Sequence, residues 1–141
     1  MQLIPKTALN ILLVEDDPDD IDLFEYALED NAVDCQLEVI MEGDGVLPYL
    51  RGLVQQPDVV VLDLNLPKVP GREVLQLIKA APQLRSIPVA VLTTSSARED
   101  AESCYALGAD QFLTKPASQD GFTNTIQAIV ELAHRPKEPV A

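Results

Sequence analysis

The segment Val59-Val60-Val61-Leu62-Asp63 is apolar at four consecutive positions and closes on a carboxylate. A run that is apolar throughout, not at alternate positions, suits a parallel strand covered on both faces, and its β-branching marks the sheet centre. Outward from it, 11–14 (Ile-Leu-Leu-Val), 89–92 (Val-Ala-Val-Leu) and 111–114 (Gln-Phe-Leu-Thr) read as further strands. A less hydrophobic run, 37–41, is assigned to a sheet edge. Asp17-Pro18 opens a first helix with Ile21, Phe24 and Leu28 on one face. Gly43-Asp44-Gly45 precedes a short helix at 46–53, and Val74, Leu75 and Ile78 form the buried face of a third. Ser96-Ala97-Arg98-Glu99 has capping-box spacing for a fourth helix running to about Leu107, which Gly108 ends. Ser118 is set to cap a fifth, with Phe122, Ile126, Ile129 and Val130 facing inward. Five β-α repeats predict an α/β fold, a doubly wound parallel sheet with helices on both faces.

Ligands of such sheets bind in the crevice beyond the carboxyl ends of the strands. Asp16, Asp63, Thr93 and Lys115 each follow or close a strand, so four distant polar residues are expected to meet there. Two carboxylates, a hydroxyl and an ammonium in one crevice describe a magnesium-assisted phosphoryl-transfer site. Six acids occupy positions 15–22. Asp19, Asp20 and Asp22 are credited to the helix dipole, which favours acids in a first turn. Glu15 and Asp16 belong to the strand end, where mutual repulsion is relieved by a divalent cation; Mg2+ takes such oxygen ligands together with phosphate oxygens. Asp63 is assigned as a carboxylate nucleophile toward phosphorus. Thr93 is placed to hydrogen-bond a phosphoryl oxygen, and the Lys115 ammonium to pair with Asp63 and then with the phosphate.

Composition narrows the function classes. The 141 residues carry 23 acids against 10 bases, a net charge of -13 that repels a phosphate backbone, so direct nucleic-acid binding is not expected. Aromatics are 4% with no Trp, too few for a base-stacking platform. Cys35 and Cys104 lack metal or redox spacing and read as reduced thiols. No signal-peptide pattern opens the chain and no apolar run approaches ~20 residues, so a cytoplasmic protein without membrane association is expected. Residues 1–9 read as a lead, 10–134 as the domain and 135–141 as a short tail. That leaves no output domain, and a separate downstream protein is expected to carry the output.

Four segments, Ile11-Leu12-Leu13-Val14-Glu15-Asp16-Asp17, Val60-Val61-Leu62-Asp63-Leu64-Asn65-Leu66-Pro67-Lys68, Val91-Leu92-Thr93-Thr94-Ser95 and Gly108-Ala109-Asp110-Gln111-Phe112-Leu113-Thr114-Lys115-Pro116, together resemble the receiver domain of two-component response regulators. The resemblance implies a flavodoxin-like (βα)5 fold with strand order 2-1-3-4-5. It implies a histidine kinase as phosphodonor to Asp63, and Mg2+ held by Glu15, Asp16, Asp63 and the backbone carbonyl of Asn65. Thr93 and Lys115 would contact the phosphoryl group, and the Lys115–Pro116 peptide would be cis. More narrowly, Leu62-Asp63-Leu64-Asn65-Leu66-Pro67-Lys68 with Gly71-Arg72-Glu73-Val74-Leu75 looks like the small stand-alone regulators that serve bacterial phytochromes. That implies a light-sensing kinase as partner and a homodimer through the last helices and C-terminal extension.

Two departures concern switching. Phe112 stands where many receivers carry a Tyr that turns inward when the threonine moves, and Phe lacks the hydroxyl. Pro70 stands where an acid or Asn commonly precedes the glycine, and it stiffens that loop. Thr93 and Phe112 are the switch candidates. Alternatives are a phosphate-independent pseudo-receiver and a haloacid-dehalogenase-like phosphatase. The latter requires a second Asp two residues after the nucleophile, where this chain has Asn65. Flavin binding would need a hydroxyl- and glycine-rich first loop, and this one is acidic. His134 reads as a solvated helix end, Cys104 and Tyr105 as packing, and Lys68 and Arg72 as solvated.

Overall fold

In the computed structural model, which describes residues 8–135 apart from the side chains of Gln119 and Asp120, five parallel strands form one sheet in the order β2-β1-β3-β4-β5. The strands are β1 (Leu9–Val14), β2 (Cys35–Ile40), β3 (Val59–Leu62), β4 (Val89–Thr93) and β5 (Gln111–Thr114). The helices are α1 (Pro18–Asp30), α2 (Val46–Arg51), α3 (Gly71–Ala80), α4 (Arg98–Ala106) and α5 (Gln119–His134), with a 3-10 turn at Gly43–Gly45 before α2. The expected flavodoxin-like order holds, with β3 central and β2 at an edge. Most of the lead and nearly all of the tail lie outside the described residues. No described helix is long and apolar enough to cross a membrane.

Strand periodicity divides the core into two layers, because successive side chains point to opposite faces. Ile11, Leu13, Val59, Val61, Ala90 and Leu92 face α1 and α5, where Phe24, Leu28, Ile126 and Ile129 bury their side chains. Leu12, Val14, Val60, Leu62, Val89 and Val91 face the other way, onto Leu50, Val74, Leu75, Ile78 and Cys104. All four residues of β3 are fully buried, as its unbroken apolar run requires.

The helix starts follow local chemistry. Asp17 caps α1, its Oδ1 accepting the Asp19 N–H at 2.9 Å, and Pro18 takes the first turn, where a missing N–H costs nothing. Gly108 lies beyond α4 at φ +107, as expected for a glycine stop. The capping box expected at Ser96 does not form. Helix α4 begins one residue later, with Ala97 at its cap position, and the hydroxyl in use is that of Ser95, which accepts the Ala97 N–H at 3.2 Å. Ser118 occupies the α5 cap position with extended backbone but makes no side-chain cap bond. The described residues contain no cis peptide, so Lys115–Pro116 is trans. The expected cis bond is not found there. The Lys115 amide donates to the Thr93 carbonyl at 2.6 Å, continuing the β4–β5 pairing up to the proline.

Two glycines set the loop after β3. A Cβ on Gly71 would sit 2.2 Å from the Asp63 carbonyl oxygen and 2.6 Å from Leu64 Cα, and one on Gly43 would sit 2.0 Å from the Val69 carbonyl oxygen. Both positions require a residue without a side chain, for close approach of backbone to backbone. Gly71→Ala is therefore expected to destabilise the domain by about 1–3 kcal/mol, read as a lower urea midpoint at unchanged slope.

Candidate functional site

The carboxyl ends of β1, β3, β4 and β5 place Glu15, Asp63, Thr93 and Lys115 at one end of the sheet, and Asp16, one of the four residues expected to meet there, follows Glu15. Asp63 follows β3, its N–H donating to the Val14 carbonyl at 3.0 Å, which fixes it against the end of β1. The residue is 5% exposed; its Oδ1 accepts the Asn65 N–H at 3.2 Å, and Oδ2 lies 3.1 Å from Lys115 Nζ. Glu15 is buried as well. Its Oε2 accepts the N–H groups of Asp16 and Asp17 at 3.1 and 3.2 Å, and Oε1 lies 2.7 Å from Lys115 Nζ. Asp16 is exposed at the mouth. Carboxylate oxygens of Glu15, Asp16 and Asp63 lie within 4.8 Å of one another. Three hard oxygen donors at that spacing fit a divalent cation.

Burial and neighbouring charge oppose each other here. Burial pushes the Glu15 carboxyl up to about 7, against the Lys115 ammonium, while the Asp63 charge adds to the rise. Burial alone would favour neutral Lys115, but hydrogen bonds and charge from Asp20, Glu15 and Asp63 outweigh it and raise its pKa above the usual lysine value. The lysine stem runs past Leu13, Phe24, Leu92 and Phe122, which line a small cavity of about 30 Å³ beside it.

Asp20 is a partner the sequence reading missed. Its Oδ2 lies 2.8 Å from Lys115 Nζ, so it belongs to this cluster and is not merely a helix-dipole acid. A signal was present: Asp20 precedes buried Phe24 by four residues and shares its inward face. Thr93 is 1% exposed, and its Oγ1 faces the Ser95 N–H at 3.5 Å. Phe112 is partly buried against the α2–α4 layer, and its N–H donates to the Tyr105 hydroxyl at 3.0 Å. Tyr105, expected as packing, is half exposed and meets β5 through its hydroxyl. Arg72, expected as solvated, pairs with Asp100. Lys68 is exposed and reaches Glu42 at 3.2 Å, and Pro70 takes the cap position of α3 at φ -60.

Known proteins resemble this chain in sequence and in fold. The probable methanogenesis regulatory protein FilR2 of Methanothrix harundinacea is 40% identical over 125 residues, covering 86% of this chain and 81% of its own. Response regulator Rcp1 of Synechocystis sp. is 37% identical over 124 residues, covering 84% of each chain. A solved Mn(2+)-bound form of response regulator Rcp1 superposes with a TM-score of 0.79 at 34% identity, over 93% of this chain and 99% of that one. The phosphorylated cyanobacterial phytochrome response regulator RcpA superposes with a TM-score of 0.82 at 35% identity, over 94% of this chain and 99% of that one. Residues 11–127 match the response regulator receiver domain, and with the fold and the strand-end acids in place, the chain belongs to that family.

Proposed function

We propose that the chain is a phosphoacceptor in two-component signalling, taking a phosphoryl group onto Asp63 from a histidine kinase. The observation that carries this reading is the convergence of Glu15, Asp16 and Asp63 within 4.8 Å, with Lys115 Nζ 3.1 Å from Asp63. Glu15, Asp16, Asp63 and the backbone carbonyl of Asn65 would hold Mg2+. Bound there, the ion supplies positive charge between the carboxylates and the phosphoryl oxygens.

The rest falls to the protein. Asp63 is held by Asn65 at one oxygen and Lys115 at the other, so its carboxylate is oriented before a donor arrives. A carboxylate lone pair forms the new O–P bond. The N–P bond of the kinase phosphohistidine breaks, and its electron pair returns to an imidazole that leaves neutral because its other ring nitrogen is protonated. Lys115 then pairs with a phosphoryl oxygen while keeping Asp20 and Glu15 as counter-charges. Thr93 hydrogen-bonds another phosphoryl oxygen, and its movement draws the 94–97 loop and Phe112 into a second state. The chemistry is group acceptance followed by signalling through protein contacts, not turnover of a free substrate. Asn65 in place of a second Asp supports that over the phosphatase alternative.

Likeness to RcpA, a phytochrome response regulator, supports a phytochrome-type kinase as donor. A cytoplasmic setting and a homodimer through the C-terminal helices belong to the same proposal. The 10–134 domain would deliver its signal to a separate target protein.

Intact-mass spectrometry with acetyl phosphate and Mg2+ tests the reading. Wild type should gain one phosphoryl group that is absent with chelator and in Asp63→Asn; an unmodified wild type, with acetyl phosphate and with cognate kinases, favours the phosphate-independent module. Asp16→Asn should weaken Mg2+ binding by roughly tenfold or more in titration calorimetry, because one ionised ligand is lost. Thr93→Ala should still take up phosphate, while the amide spectrum of the 94–97 loop no longer responds to it.

A further inference from the structure

Ser95 is tied down from three sides. Its Oγ donates to Asp100 Oδ2 and accepts the Ala97 N–H at 3.2 Å. Its carbonyl accepts the Thr114 Oγ1 hydroxyl at 2.9 Å, and its N–H faces Thr93 Oγ1 at 3.5 Å. Asp100 in turn holds the Arg72 guanidinium across the gap between α4 and α3. Arg72 follows Gly71, whose N–H donates to the carbonyl of Leu64, the residue after Asp63, at 3.0 Å. One continuous path therefore joins the Asp63 strand end to the Thr93 loop, and it runs outside the acidic pocket.

The path is held by charge. The Ser95 hydroxyl and then the Arg72 guanidinium keep the Asp100 carboxyl below the usual carboxylate range. The guanidinium also meets the Cys104 side chain, which comes from the same helix as Asp100. Asp100 supplies the charged partner that holds the guanidinium there.

We propose that Arg72 and Asp100 are positioning residues for Thr93, which hold Ser95, and with it the 93–97 loop, in the unphosphorylated setting until α3 and α4 part. This rests on the reading of Asp63 as phosphoacceptor and Thr93 as the residue that meets the phosphate. By linkage, a contact present only in the unphosphorylated state opposes phosphoryl uptake. Weakening the clamp raises the fraction of released loop and speeds uptake. The pair is partly exposed, so its coupling is modest and the switch is eased, not locked on.

The test uses the full chain and the variants Asp100→Asn, Arg72→Met and Ser95→Ala, with Glu99→Gln as a control on the same helix outside the clamp. Each clamp variant should speed hydrogen exchange of the Ala97 amide, and Asp100→Asn and Arg72→Met should speed uptake from acetyl phosphate by about two- to fivefold. The Arg72→Met/Asp100→Asn double variant should match the single ones, since both act through one contact. Glu99→Gln should change neither readout. Unchanged Ala97 exchange in Asp100→Asn and Arg72→Met, slower uptake, or multiplied effects in the double variant would overturn the clamp. Failure of wild type to take up phosphate would overturn the Asp63 reading and, with it, the role given to the clamp. Normal wild-type uptake with indifferent variants overturns the clamp alone.

Discussion

The Lys115 ammonium is the interaction on which the rest of the site depends. It lies 2.7 to 3.1 Å from oxygens of Glu15, Asp20 and Asp63, which come from the end of β1, the first turn of α1 and the end of β3. Two carboxylates ~4 Å apart repel by about 4 kcal/mol at an effective dielectric of 20, and burial adds a desolvation cost. One partly buried cation offsets part of this and leaves an excess of negative charge facing the solvent. That excess suits the site to a metal ion. The hydrophobic layers on the two sheet faces hold β1 and β3 in register, so the acids stay together despite their repulsion.

Much of this was legible in the sequence. Strand ends were marked by apolar runs that stop at a charge, and Val59-Val60-Val61-Leu62-Asp63 did this without ambiguity, because a doubly covered strand tolerates no internal polar residue. The helical faces were legible through Phe24 and Leu28, Val74 and Ile78, and Ile126 and Ile129. What escaped were side-chain partners decided by tertiary geometry. Asp20 and Lys115 are 95 residues apart, and Arg72 and Asp100 are 28 apart, so no local spacing reports either pair. Ser95 displaced Ser96 for a related reason. The capping-box pattern was present, but Asp100 in the first turn of α4 and Thr114 on β5 both engage Ser95, and they set the helix start.

The loop after β3 shows how backbone contact can settle a site as firmly as side chains do. Gly43 and Gly71 let two chain segments approach it closely, at Val69 and at Asp63–Leu64. Lys68 within it takes φ 71, a left-handed conformation uncommon for a side-chain-bearing residue. Pro70 then fixes the entry to α3 at φ -60. Asn65 lies in this loop, and its N–H holds Asp63 from the side opposite the lysine.

The Tyr105 hydroxyl has a consequence for how other molecules meet this domain. β5 is an edge strand, and an edge normally offers a row of bare amides and carbonyls on which a foreign strand can grow. By taking the Phe112 N–H, Tyr105 occupies one rung of that template with an aromatic ring from α4. A visitor that approached as a sixth strand would first have to evict the ring. Contact on this flank is therefore directed to the shape and chemistry of α4 side chains, and away from the generic adhesiveness of an open sheet.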